Sequence, residues 1–444
     1  MIGVGTNSLA QLRSGALTGI RRLDLSACGL TELPTEVFGL ADTLEILDLS
    51  GNALSALPDE LPRLRKLRIV FASGNRFTSL PEVLGRCEQL EMVGFKANQI
   101  NLVSASSLPT QLRWLILTDN QIAALPAEIG RCQRLQKLAL AGNRLRELPP
   151  EMAACTRLEL LRIAANQLTE LPAWLLALPR LSWLAFGGNP FNAAREHAAL
   201  THTPLPTVAW PSLQIQDRLG EGASGVIHRA QQNAGGTALA LKIFKGEVTS
   251  DGLPSSEMAA ALHAGAHPNL IPVLGRLAGH PGQAEGLAMQ LIAPEFGCLA
   301  APPSLDSCTR DVYAPGARFG LTALLRLAGG ITSAVQQMHR RGISHGDLYG
   351  HNILQDSRGH AYLGDFGAAS LFAPGARQAL ALQRLEARAF GCLLEELIER
   401  CDVASPALNA LRDACLSEDA ASRPLFDEIG QALLSAGLDG VARC

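Results

Sequence analysis

No apolar run in this sequence approaches the roughly 18 residues that a membrane-crossing helix needs. The first residues, MIGVGTNSLAQLRSG, lack the charged start and apolar core of a secretory signal. Ten cysteines lie scattered without paired spacing, which suits a reducing compartment better than a disulfide frame. Aromatics make up only 5% of the chain, and 38 Lys+Arg nearly balance 41 Asp+Glu. With neither a basic patch nor interleaved aromatics, nucleic acid is not an expected partner. These absences point to a cytoplasmic protein that neither enters a membrane nor binds nucleic acid. What is present is 47% hydrophobic content over 444 residues, enough for two or three cored domains.

The N-terminal part repeats. Cys28, Asn52, Asn75, Asn98, Asn120, Asn143, Asn166 and Asn189 recur every 22 to 24 residues. Each closes a unit such as Leu135-Gln136-Lys137-Leu138-Ala139-Leu140-Ala141-Gly142-Asn143, and most are followed five residues later by Leu-Pro. The pattern resembles a leucine-rich repeat. Such a unit cannot bury its own leucines, so neighbours stack into a solenoid with short parallel strands on its inner face. The asparagines are expected to bond the backbone of the adjoining turn. Cys28 fits a terminal rung. The repeat after Asn98 is one residue short, which predicts a local kink. Cys87, Cys132 and Cys155 each fall twelve residues after a repeat asparagine. That placement reads as small buried side chains of the outer layer, not metal ligands.

Strand alternation puts the residue before the second leucine on the concave face. The row reads Arg22, Ile46, Ile69, Met92, Trp114, Lys137, Leu160 and Trp183. Its apolar members (Ile46, Ile69, Met92, Trp114, Leu160 and Trp183) form the expected surface for a protein substrate or regulator. The adjacent row, which includes Asp24, Asp48, Ala139, Arg162 and Ala185, turns from acidic to mostly apolar.

The second half carries the chemistry. Asp347 and Asn352 form an Asp-x-x-x-x-Asn unit, with Asp365-Phe366-Gly367 shortly after it. Phosphoryl transfer needs a carboxylate for the hydroxyl proton and oxygen ligands that hold a divalent cation against the phosphates. Upstream, Gly220-Glu221-Gly222-Ala223-Ser224-Gly225 is a Gly-x-Gly-x-x-Gly loop between strand-like runs, fit to point N–H groups at phosphate oxygens. Ala238-Leu239-Ala240-Leu241-Lys242-Ile243 follows, then an Ala-rich helical stretch with Glu257 as its one carboxylate and Ser255 or Ser256 as N-cap. Next come His267-Pro268-Asn269-Leu270 and, near the end, Asp419 with Arg423-Pro424.

These motifs, in this order over roughly residues 213 to 436, resemble the eukaryotic-type protein kinase family. The resemblance implies ATP as phosphoryl donor, with Mg2+ or Mn2+ on Asn352 and Asp365. It makes Asp347 the catalytic base and pairs Lys242 with Glu257. It assigns the nucleotide to Gly220, Glu221, Gly222, Ala223, Ser224, Gly225, Ile227, Lys242, Met289 and Leu291.

Three departures stand out. Gly346 replaces the arginine that usually binds an activation-loop phosphate, and Ser370 is the only hydroxyl side chain between Asp365 and Glu386. Activity is therefore expected not to depend on phosphorylation of that segment. No Ala-Pro-Glu is present; Ala373-Pro374-Gly375 stands near its place, so Arg423 should lack its carboxylate partner, and Glu386 stands about where a buried aspartate is usual. Tyr349 occupies the position of a lysine that contacts the transferred phosphate, with His351 close by.

The reading is an α/β leucine-rich-repeat solenoid over 1–191, a linker over 192–212, and a two-lobed α+β protein-kinase-like domain over 213–444. It resembles a bacterial leucine-rich-repeat protein kinase, acting on protein hydroxyls with Ser/Thr favoured. His-Gly-Asp-Leu also resembles small-molecule kinases of the aminoglycoside and choline phosphotransferase type. A third reading is a binding scaffold with an inactive kinase fold.

Overall fold

The computed structural model of the chain describes residues 4–202, 205–222, 224–233, 236–246 and 248–441. Ala223, one of the expected nucleotide-binding residues, lies outside them. The chain divides into two compact units: Met1–Leu161 with Asn166–Leu178, and Arg162–Ala165 with Pro179–Cys444.

A helix, α1 (Val4–Arg13), precedes the repeats. Eight three-residue strands then form one sheet in sequence order: Arg22–Asp24, Ile46–Asp48, Ile69–Phe71, Met92–Gly94, Trp114–Ile116, Lys137–Ala139, Leu160–Arg162 and Trp183–Ala185 (β1 to β8). Their central residues pair in parallel register, Leu23 with Leu47, Leu47 with Val70, Val70 with Val93 and Val93 with Leu115. All are buried, so each rung completes the core of its neighbour.

The repeat asparagines do more than close their own turn. Asn143 accepts from the Ile122 N–H at 3.0 Å and donates to the Leu117 and Leu140 carbonyls, each at 2.9 Å. Asn52, Asn75 and Asn120 repeat the same three bonds, which stitch each rung to the one before. The residue before each asparagine has positive φ: glycine at 51, 74, 142 and 188, but Ala97, Asp119 and Ala165 elsewhere.

The short repeat causes no break in the sheet, because Met92 still pairs with Trp114. The outer layer of this repeat carries a short turn. There a three-residue turn, Ala105–Ser107, stands between five-residue turns at Glu82–Arg86 and Ala127–Arg131. Cys87, Cys132 and Cys155 are buried in that layer, and burial pushes their thiols up to about 11, about 11 and about 12.

The second unit begins earlier than the sequence motifs suggest. Residues 192–212 are not a plain linker. Ala193–His202 is a helix (α2), and Thr207–Ala209 (β9) adds a parallel strand to the edge of the next sheet. The remaining strands are Leu213–Glu221, Gly225–Gln232, Ala238–Phe244, Val273–Ala278 and Gly286–Gln290 (β10 to β14), in the order β10-β11-β12-β14-β13-β9. Leu239, Leu241, Ala230, Leu277 and Ala288 bury one face of this sheet.

Helix α3 (Pro254–Ala264) follows β12, with Leu253 as N-cap and Pro254 in its first turn. Neither Ser255 nor Ser256 caps it; Ser256 instead donates to Glu196 of α2 at 2.9 Å. A mainly helical lobe follows: α4 (Leu321–Arg340), α5 (Ala379–Ile398), α6 (Pro406–Cys415) and α7 (Phe426–Val441). Short strands Gly297–Cys298, Ile343–Ser344, Ile353–Gln355, Ala361–Leu363 and Ser370–Leu371 (β15 to β19) frame its upper edge. Among the described residues no helix is long and apolar enough to cross a membrane.

A buried polar cluster in this lobe gives one prediction. Glu396 on α5 accepts from Arg310 at 2.8 Å and Tyr313 at 3.2 Å, yet burial pushes its carboxyl up to about 7 from 4.5. Between those two values the folded chain holds a proton that the unfolded chain has lost. Stability therefore falls as pH rises through that window and levels off above it. Glu396→Gln should flatten this slope in denaturant melts run between about pH 5 and about pH 8. An unchanged slope would assign the dependence to other groups.

Candidate active site

Strands β10 and β11 meet at the glycine loop, where Gly222 N–H donates to Gly225 O at 2.9 Å. Gly225 is required by close approach: a Cβ there would lie 2.5 Å from the Ile243 carbonyl of β12. Lys242 sits mid-strand on β12, 6% exposed, and donates to Glu257 of α3, itself 3% exposed. A second donation reaches Asp365 at 3.4 Å. Burial opposes the Lys242 charge, but the two carboxylates outweigh it and hold the ammonium above its ordinary value. Asp365 has φ +51 and accepts from Gly367 N–H at 3.1 Å. The low-dielectric surroundings work against its charge, but Lys242, the Gly367 N–H and His345 hold the carboxyl below its ordinary value.

The loop before β17 brings in the second carboxylate. Asn352 donates both to Asp347 Oδ2 and to its carbonyl, each at 2.9 Å. His345 is fully buried and bonds the Gly364 carbonyl at 3.0 Å. Glu386 of α5 accepts from Gly346 N–H at 2.8 Å and pairs with His339 at 2.5 Å. Burial raises the cost of that carboxylate, but His339, His345 and the Gly346 N–H more than offset it. His351 is clasped by Asp311, through its N–H at 3.0 Å and its ring at 2.7 Å.

One cavity gathers most of the expected nucleotide-binding residues. Gly222, Ser224, Gly225, Ile227, Lys242 and Met289 line it, together with Glu257 and Asp365. Gly220, Glu221 and Leu291 do not. Glu221 turns outward to Lys245 and Arg218. Leu291 shares the parity of Met289 but lies beyond the end of β14, where alternation no longer sets direction. Apolar walls that the motifs did not mark come from Ala261, Ile271, Val273, Leu287 and Phe366. Leu287 could have been found by counting back two residues from Met289.

Residues 213–388 match the family model for the protein kinase domain, and residues 18–77 and 133–191 match that for leucine-rich repeats. The chain joins leucine-rich repeats to a protein kinase domain. It is similar to cyclin-dependent kinase 11.1 of Caenorhabditis elegans, 30% identical over 34% of this chain and 20% of that protein. It is also similar to the probable cyclin-dependent kinase 10 of Dictyostelium discoideum, 27% identical over 36% of this chain and 42% of that one. The chain thus spans between a fifth and about two fifths of the length of these curated relatives. A solved leucine-rich-repeat protein of Leptospira interrogans is 26% identical, covering 41% of this chain and 52% of its own, with a TM-score of 0.35.

Within the kinase domain, Arg423 is 1% exposed and has lost its usual carboxylate. It donates instead to the Ser417 and Pro179 carbonyls, and burial with nearby Arg388 lowers it to about 10. Ser370, the lone hydroxyl of its segment, is also 1% exposed. Its Oγ accepts from the Phe186 and Gly187 N–H groups at 2.9 and 3.0 Å. The expectation of an activation segment without an accessible phosphoacceptor thus has a physical form: Ser370 is a buried bracket. Ser370→Ala should lower stability by about 1–3 kcal/mol, since it strands two buried donors. A melt identical to that of the native chain would show that these donors find other partners.

The concave row needs correction. Ile69, Met92, Leu160 and Trp183 are buried, and only Ile46 and Trp114 of the six apolar members are partly exposed. Trp183 stacks on Tyr349 with ring centroids 4.2 Å apart and planes 8° off parallel, and its indole N–H donates to Leu348 O at 3.1 Å. A tryptophan so engaged is part of the kinase unit rather than a docking residue. Arg162 is a further residue that the motifs did not mark, and it contacts Asp347 directly. Its one signal in the sequence was its charge, the only basic residue in its row.

Proposed function

We propose that the chain transfers the γ-phosphate of ATP to a protein hydroxyl, serine or threonine in preference to tyrosine. The observation that carries this reading is the joint placement of Lys242 on Glu257 and Asp365, with Asp347 held by Asn352. Lys242 neutralises phosphate charge, and Glu257 and Asp365 fix its position. Asp347 accepts the hydroxyl proton, and its Oδ2–Asn352 bond fixes the orientation of its carboxylate. Asn352 and the ionised Asp365 are oxygen ligands of the kind Mg2+ or Mn2+ takes, and that ion would neutralise phosphate charge when bound. The protein acts in the cytoplasm, and its repeats bind a protein partner. The concave face is the proposed surface, with Ile46 and Trp114 its accessible apolar residues.

The test is a transfer assay with labelled ATP on the purified chain. Self and general protein substrates come first, then aminoglycosides and choline-like amines. Label on protein supports the reading. Label on small alcohols alone favours the phosphotransferase alternative, and nucleotide binding without any transfer favours an inactive scaffold.

A further inference from the structure

We propose that Arg162 is a positioning residue for Asp347, and that with Trp183 it holds the catalytic loop from outside the motifs of the kinase fold. This rests on the protein kinase reading above. Arg162–Ala165 and Pro179 onward belong to one compact unit with the kinase domain. The Arg162 side chain is 4% exposed. Its guanidinium donates to Asp347 Oδ1, to the Gly346 carbonyl at 2.9 Å and to Asp251 at 2.7 Å. Trp183 adds the bond to Leu348 O and the stack on Tyr349. Four successive residues, 346 to 349, are thereby held by two side chains.

The same contacts explain why Gly346 replaces an arginine. Gly346 has φ +71, and a Cβ there would lie 2.5 Å from the Ala368 carbonyl and 2.7 Å from that of Leu184. No side chain fits. The rung carrying Leu184 fills the space such a side chain would use, and Arg162 brings a guanidinium to the loop from a different direction. Its planar fork suits the task, because it can meet a carboxylate and a carbonyl at once where an ammonium is a single point. The Asp347 carboxylate keeps its capacity to act: its two oxygens offer about four acceptor sites, of which Arg162 and Asn352 take one each. The side chain is still 16% exposed.

The test compares Arg162→Ala, Arg162→Lys and Arg388→Ala in the full chain. Arg388 bonds Pro179 O and Ser182 of the same rung but does not touch residues 346–349 in any of its hydrogen bonds, so it controls for general loss of packing. Turnover of ATP with myelin basic protein as acceptor gives kcat and KM for ATP. Hydrogen exchange of residues 346–352 reports loop opening without any need for turnover. For Arg162→Ala we expect kcat to fall about 100-fold with KM for ATP little changed, since a misplacement of about 1 Å can cost that much. Arg162→Lys should recover part of the loss. Exchange in 346–352 should rise in Arg162→Ala and stay native in Arg388→Ala. An unchanged or increased kcat in Arg162→Ala would overturn the proposal, the increase by showing that Arg162 restrains the base. So would equal exchange in the two alanine variants. A native chain that transfers no phosphate at all would sink the protein kinase reading, while the exchange comparison would still decide the support.

Discussion

Asp347→Asn should lower phosphoryl transfer by about 100-fold to about 10,000-fold, the range typical of a lost general base. The replacement keeps the shape and can still accept from Arg162 through its amide oxygen. What it loses is the ability to take a proton from the attacking hydroxyl. Because Asp347 is not among the residues lining the nucleotide cavity, affinity for ATP should stay within a few-fold of native. Single-turnover transfer and nucleotide titration on the same preparation separate the two effects. A variant that keeps a third of the native rate would show that another group takes the proton. Lys242→Met should also abolish transfer, but less cleanly. It leaves Glu257 buried without its cation, and breaking such a pair costs about 3–5 kcal/mol of stability as well.

The second large effect lies in the repeats. Asn143→Ala should destabilise the repeat unit by about 1–3 kcal/mol, because it leaves a buried backbone donor unmet. The Leu117 and Leu140 carbonyls keep a donor each, from Asn120 and Asn166, so the group left unmet is the Ile122 N–H in the middle of the array. Asn52 makes the same bonds near the start, but it is only half-buried, so water can replace part of what is lost. Asn52→Ala should therefore cost about 1 kcal/mol. Urea melts of the two variants test the contrast. Equal losses would mean that burial does not set the value of these bonds.

Much of this could be read along the chain. The phase of the repeats was visible because Asn52 to Asn189 recur at a period matched to one rung, and the inward leucines follow from strand alternation. Lys242, Glu257, Asp347, Asn352 and Asp365 were visible because phosphoryl transfer constrains residue type and order. Two readings went astray where local pattern met a tertiary demand. Residues 192–212 have a linker-like composition, yet α2 and β9 form because Glu196 meets Ser256 and Thr207 meets Arg276. Ser255 and Ser256 look like caps, but Pro254 starts the helix a residue earlier.

The concave stripe shows the limit most plainly. Alternation correctly puts Trp183 in the concave row, at the first residue of β8. What that face meets is a different matter. Trp183 lies 166 residues from Tyr349 in the chain, and Arg162 donates to Gly346 across 184. No periodicity or spacing records a contact at that distance. The sequence by itself determined the rungs, the order of the proposed catalytic groups and the absence of a loop arginine, because each depends on residues close together or on fixed chemistry. Only the tertiary structure decided that the last rung packs against the catalytic loop, that Gly346 must be glycine there, and that Arg162 reaches the base. Those outcomes depend on which buried faces are complementary once the separate elements have formed.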